Sequence, residues 1–286
     1  MLLAAVCFIV LLLGPGYLLW LNTHKKSRTR NGSFPRDLPF VDVIVPLKDE
    51  SLLVEKKLRN LRSIEYPSDR IQFWLIDGAS SDGTVALIKD FLVADNRFHL
   101  LELPVSDKTA QLNHALPYCK GSWSLVTDAD AILPNNILTS MISLCESPEL
   151  AVIGAQVEPH AAISLEHWHW KFSNWLRIRE SDLGYASFVT APCYLFRRDL
   201  LQQFPQNTIS DDIHVALLAM SSGKTVLLIP SVVTELRSPV TFHELILHKW
   251  RKSRAYFREI FRFLPKLFTM PRESRKFFLW RSAQMI

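Results

Sequence analysis

Ser122–Ala131 reads SWSLVTDADA. Trp123, Leu125 and Val126 form a short apolar run suited to an interior strand, and Asp128 and Asp130 follow where such a strand leaves its sheet. In open α/β sheets, ligands bind along that edge. Two carboxylates one residue apart in an irregular loop reach a hard divalent cation, Mg²⁺ or Mn²⁺, that also takes phosphate oxygens. The same pattern serves equally as turn chemistry, with Asp bonding nearby backbone amides.

Upstream, strand and helix patterns alternate. Val41–Pro46 (VDVIVP) is β-rich and closed by Pro46, with Lys48-Asp49-Glu50 directly after it; Glu50–Leu61 has helical spacing, with Leu53, Leu58 and Leu61 on one side. Phe73–Ile76 is a second apolar run, ending at Asp77 and a Gly- and Ser-rich loop before a helix over Val85–Val93. His99–Leu103 is a third, followed by a helix over Thr109–Leu116. This alternation predicts an α/β fold with a mostly parallel sheet whose strand ends share one edge. At that edge Asp77 and the pair Asp49-Glu50 suit a base or ribose, and Lys108 a carbonyl or a phosphate. Each also reads singly as a turn residue or a solvated charge.

Four of these stretches together, VDVIVPLKDE (41–50), LIDGASSDGT (75–84), KTAQLNHAL (108–116) and VTDADAIL (126–133), resemble the nucleotide-binding half of family-2 glycosyltransferases, inverting enzymes with the GT-A fold. The resemblance extends over residues 41–255. It implies a Rossmann-like, mostly parallel sheet with helices on both faces. It also implies that Pro46, Asp49 or Glu50, Asp77, Lys108 and Asp128 hold a nucleotide sugar, and that Asp130 with Asp128 holds Mg²⁺ or Mn²⁺. Asp49 stands where the family usually has Asn, and Ile76 where it often has Asp.

Two further stretches acquire roles from the same resemblance. Ser210-Asp211-Asp212 opens a helix, as a Ser N-cap followed by acidic residues does on its own account. It also matches the family's Thr-Glu-Asp motif, which makes Asp212 the general base toward an acceptor hydroxyl. His248–Arg254 falls where processive members carry Gln-x-x-Arg-Trp. Arg251 aligns with the Arg and would meet charge on the leaving diphosphate, whereas His248 and Lys252 replace the Gln and the Trp, which argues against processive synthesis. As residues alone, the stretch is a basic helix face.

The chain of 286 residues is 48% hydrophobic, enough for a sizeable core, and its net charge of +5 is uneven: Lys249–Ile286 carries eleven Lys and Arg against two Glu. That concentration argues against a nucleic-acid surface and for a local anionic partner, phosphate or lipid. Four scattered cysteines, Cys7, Cys119, Cys145 and Cys193, fit a reducing compartment. Met1–Leu21 has no charged side chain and is long enough for one transmembrane helix. The cluster Lys25, Lys26, Arg28 and Arg30 then places the remainder in the cytoplasm, with residues 22–40 as linker. Ser164–Arg179 is a helix dense in aromatics, suited to a membrane interface, to sugar stacking or to core packing. Residues 256–286 interleave large apolar and basic side chains, as in a segment lying on an anionic membrane.

The expectation is a membrane-anchored, cytoplasm-facing glycosyltransferase acting on a lipid or glycan acceptor with a nucleotide-sugar donor, most simply UDP-linked. A polysaccharide synthase subunit, or a non-catalytic sugar-nucleotide sensor tethered to the membrane, uses the same motifs.

Overall fold

The computed structural model describes residues 16–23, 37–183 and 188–284. Short apolar runs become strands: β1 (Val41–Leu47), β2 (Ile71–Gly78), β3 (Phe98–Leu103), β4 (Trp123–Val126), β5 (Ala131–Ile132), β6 (Leu150–Pro159), β7 (Tyr194–Arg197) and β8 (Thr225–Glu235). The principal helices are α1 (Val54–Arg62), α2 (Thr84–Leu92), α3 (Lys108–Ala115), α4 (Ile137–Ile142), α5 (Ser164–Asp182), α6 (Asp211–Ser221), α7 (Phe242–Phe263) and α8 (Arg272–Gln284).

The strands form one sheet in the order β3-β2-β1-β4-β7-β6-β8-β5. The expected parallel arrangement describes the half built from β3, β2, β1 and β4. Beyond it the sheet is mixed: β7 runs antiparallel to both β4 and β6, β5 runs antiparallel to β8, and only β6 and β8 are parallel again. Apolar periodicity marks a strand without marking its direction, and β7 runs antiparallel to β6 although α5 lies between them.

Period-2 alternation divides the strand side chains between two cores. Ile44, Ile76, Val126 and Phe196 face one that takes Leu112 of α3, Leu176 of α5 and Ile213 of α6. Val43, Val45, Leu75, Leu125 and Leu195 face the other, filled by Leu58 and Leu61 of α1, Ile88 of α2 and Leu138 of α4. Helices therefore cover both faces, and the polar loops at the ends of β1, β2 and β4 are left at one edge. Close packing sets the glycine at this edge: a Cβ on Gly78 would meet Gln111 Nε2 at 2.7 Å, and that amide donates to Leu47 O and Ile76 O.

The C-terminal part is integral to the core. Helix α7 runs unbroken across residue 255, the expected boundary, and Ile260, Phe263, Met270, Phe277 and Phe278 join the core of Phe196 and Ile213. Each buried Phe contributes roughly 1.5–3 kcal/mol. Phe261, Phe268 and Leu279 remain exposed.

The span expected over Met1–Leu21 lies outside the described residues as far as residue 15, as does most of the linker at 22–40. Residues 16–23 are helical; Tyr17 and Leu21 are buried in the core, and Tyr17 OH donates to the buried Glu180 Oε1 over 2.8 Å. Among the described residues, no helix is long and apolar enough to cross a membrane.

Candidate active site

The acidic turn after β4 is held on several sides. Ala131 N donates to Asp128 O at 3.2 Å, closing the turn, and Leu236 N donates to Asp130 O at 2.8 Å. From below, Lys57 of α1 sends a wholly buried side chain to the turn, donating to Thr127 Oγ1 at 2.8 Å and Ala131 O at 2.7 Å. Thr127 Oγ1 donates in turn to Pro192 O. Burial pushes the Lys57 pKa down to about 8, with Asp128 and Asp130 among the opposing charges.

Asp128 and Asp130 open into a cavity of about 420 Å³. Lys108, at the start of α3, stands in it with Nζ 2.7 Å from Asp128 Oδ1 and 3.2 Å from Asp211 Oδ1. Burial opposes the Lys108 charge, but Asp128 and Asp211 outweigh it and hold the ammonium protonated well above its usual range. Asp130 is pushed up by burial and then by the neighbouring Asp128.

The start of α6 forms the facing wall. Asp211 and Asp212 are buried in its first turn, where the helix dipole favours negative charge. Tyr194 of β7 donates its buried hydroxyl to Asp211 Oδ2 at 2.6 Å. Ser210 does not cap the helix through its side chain; its hydroxyl donates to Asp212 Oδ1 at 2.6 Å. Burial and then the adjacent Asp211 raise the Asp212 pKa. A carboxylate so shifted is a better proton acceptor than a free one.

Arg251, exposed on α7, lines the same cavity, as do His248, Glu235 and Arg237. Burial and the neighbouring cations, Lys252 first, hold His248 neutral, with a pKa of about 4. Burial lifts Glu235 to about 7 against the pull of Lys252.

Five of the residues expected from sequence, Lys108, Asp128, Asp130, Asp212 and Arg251, thus share one cavity. The other four lie along the neighbouring edge. Pro46 is buried within β1, paired with Ile76. Asp49, at a φ of 51°, accepts from Ser81 N at 2.8 Å and ties the loop after β1 to the loop after β2. Asp77 is buried, with Oδ2 accepting from Ser80 N, while Oδ1 has no partner among the described residues. Glu50 pairs with Arg237, whose Nη1 lies 2.8 Å from Oε1, and so meets the cavity through it. Burial raises the Glu50 pKa and Arg237 opposes that rise. Sequence patterns did not single out Lys57, Tyr194, Glu235 or Arg237.

All the acidic donors here are oxygens, the set that a hard divalent cation takes. Among the described residues, no group of three His, Cys, Asp or Glu is arranged to hold an ion unaided. Asp128 and Asp130 therefore fit an ion that a phosphate-bearing ligand also coordinates.

The sequence profile of glycosyl transferase family 2 matches residues 42–204. The chain belongs to this family. Among relatives in the family, an N-acetylglucosaminyltransferase of Rhizobium meliloti strain 1021 is 24% identical over 254 residues, covering 81% of this chain and 59% of the relative. A beta-monoglucosyldiacylglycerol synthase of Trichormus variabilis is 26% identical over 189 residues, covering 62% of this chain and 40% of the relative. The chain thus spans about half the length of these relatives. Among solved structures, mannosyltransferase PcManGT from Pyrobaculum calidifontis, in complex with GDP-Man and Mn²⁺, superposes with a TM-score of 0.81 at 21% identity. The match covers 98% of this chain and 80% of that one, and it establishes a shared fold.

Proposed function

We propose that this chain is an inverting glycosyltransferase that moves a sugar from a nucleoside-diphosphate sugar, UDP-linked in the simplest case, to a lipid or lipid-linked acceptor. The observation that carries this reading is the placement of buried Asp212 across one cavity from the Asp128–Asp130 turn, with Lys108 and Arg251 beside them. The donor's nucleoside lies toward Asp77, buried at the end of β2 with its Oδ1 unpaired among the described residues, and toward Asp49 and Glu50. Its diphosphate lies over the acidic turn.

Asp212 takes the proton of the acceptor hydroxyl as that oxygen bonds to the anomeric carbon. The bond from that carbon to the diphosphate breaks on the opposite face, so the configuration inverts and the electron pair leaves with the diphosphate. Lys108 and Arg251 face the charge that develops there. Asp128 and Asp130 would hold Mg²⁺ or Mn²⁺, which when bound supplies further positive charge to the diphosphate oxygens.

We place this reaction at the cytoplasmic face of a membrane. Support comes from Trp168, Phe242, Ile246 and Trp250, exposed on α5 and α7.

The test is nucleoside-diphosphate release by the detergent-solubilised chain, given Mn²⁺, a panel of nucleotide sugars and a lipid extract. Metal-dependent release with one donor, lost in Asp130→Ala and Asp212→Asn while Asp212→Asn still binds nucleotide, is the expected result. Nucleotide binding that needs Asp130, without turnover in the wild type under any acceptor condition, would overturn catalysis in favour of a sensor.

A further inference from the structure

Helix α7 carries six Lys and Arg, and three of them are engaged. Lys249 Nζ lies 2.8 Å from Glu166, Arg262 Nη1 lies 2.8 Å from Glu259, and Lys252 stands over the Trp170 ring at 5.6 Å. The other three, Arg251, Arg254 and Arg258, are exposed and make no ion pair among the described residues. Their i, i+3, i+7 spacing puts them on one side of the helix.

They line a second cavity, of about 430 Å³, with Ile209, Trp250 and Ala255. No carboxylate lines it. It shares Ile209, Arg251 and Ala255 with the cavity that Asp212 lines, so the two are adjacent. Three guanidinium groups held together without a counter-charge repel one another, and an anion relieves that repulsion. Guanidinium forks match phosphate oxygens in pairs. Trp250, 67% exposed, and Ile209, 52% exposed, add apolar wall to the same space.

We propose that this second cavity is a phosphate subsite on the acceptor side. It takes a phosphate monoester or diester, bound through Arg254 and Arg258 with Arg251 at the junction, while Trp250 and Ile209 cover an apolar portion of the same molecule. The assignment of the acceptor side rests on the transferase reading above. The charge set itself does not.

The test is calorimetric titration of the full chain in nonionic detergent with dioctanoyl phosphatidate, dioctanoylglycerol and inorganic phosphate. Phosphatidate binds at least tenfold more tightly than dioctanoylglycerol. The double variant Arg254→Gln, Arg258→Gln loses at least tenfold in phosphatidate affinity, the corresponding Lys pair recovers part of it, and Lys56→Gln on the distant α1 loses none. Nucleotide-sugar affinity in the Gln pair stays at the wild-type level, which shows an intact fold. Competition by inorganic phosphate at similar concentration identifies free phosphate as the ligand; its failure to compete identifies the lipid-borne group. Equal affinity for phosphatidate and dioctanoylglycerol, or wild-type phosphatidate binding by the Gln pair, overturns the proposal. Nucleoside-diphosphate release by the same preparations reports separately on the transferase reading.

Discussion

Lys57 donates to Thr127 Oγ1 over 2.8 Å from a side chain with 1% of its surface exposed, placing a cation inside the protein directly beneath the acidic turn. Hydrogen bonds from a charged donor are worth roughly 1.5–3 kcal/mol. Lys57→Met keeps the volume and removes both bonds, so the donor KM is expected to rise at least tenfold with a smaller change in kcat. Stability supplies a second readout. With a pKa of about 8 in the fold against 10.5 outside it, the unfolded chain binds more protons between those values. Wild-type stability therefore gains up to about 3 kcal/mol from this group as pH rises from 8 to 10.5. Urea denaturation across that window should show the gain in the wild type and lack it in Lys57→Met.

Tyr194 is expected to act through Asp211. Its hydroxyl is fully buried and spends its proton on Asp211 Oδ2. Tyr194→Phe deprives a buried carboxylate of a donor, costing roughly 1–3 kcal/mol of stability. Because Asp211 precedes Asp212, kcat should fall while the donor KM stays within twofold. Steady-state kinetics beside urea denaturation check both; unchanged kcat in a destabilised variant would make Tyr194 purely structural.

Much of the fold and some of the residues that line the candidate cavity were legible in the sequence. Asp128 and Asp130 sit in a short local pattern where an apolar run ends, Asp212 in the first turn of a helix with its own start signal, and Arg251 in a basic helical stretch. Tyr194 and Arg237 were not, because Tyr194 meets Asp211 from β7 and Arg237 meets Glu50 from the segment after β8, contacts between distant parts of the chain that no local pattern records. β7 is four residues long, and its antiparallel direction leaves no trace in YLFR. The basic, aromatic C-terminal stretch reads as a surface when its composition is averaged. Only the helix register of α7 and α8 separates buried Phe263 and Phe277 from exposed Phe261 and Leu279.

The Glu50–Arg237 pair joins the loop after β1 to the segment after β8, and its two members are unequal: Glu50 is buried, Arg237 half exposed. Removing the arginine leaves a buried carboxylate whose pKa, already raised by burial, climbs further. A raised carboxylate loses stability as pH rises through its folded pKa. Arg237→Ala should therefore be clearly less stable than wild type at pH 7 and approach it at pH 4, where Glu50 is protonated in both. Thermal denaturation at the two pH values measures this, and an equal deficit at both would contradict it.

Glu235 offers a direct probe of charge in the cavity lined by Asp128, Asp130 and Asp212. Burial lifts its pKa to about 7 from 4.5, with Asp130 and Asp128 adding to the rise and Lys252 opposing it. Between pH 4.5 and 7 the fold binds more protons than the unfolded chain. Stability from this group thus falls as pH rises through that window, by up to about 3 kcal/mol, and Glu235→Gln should abolish that part of the slope. A divalent cation held by Asp128 and Asp130 favours the ionised form of a neighbouring carboxyl. Adding Mn²⁺ with a nucleoside diphosphate at pH 6.5 should therefore release protons from the wild type, detected by titration in two buffers of different ionisation enthalpy. Release should be smaller in Glu235→Gln and absent in Asp130→Ala. Equal proton release in wild type and Glu235→Gln would remove Glu235 from the charge network of the site.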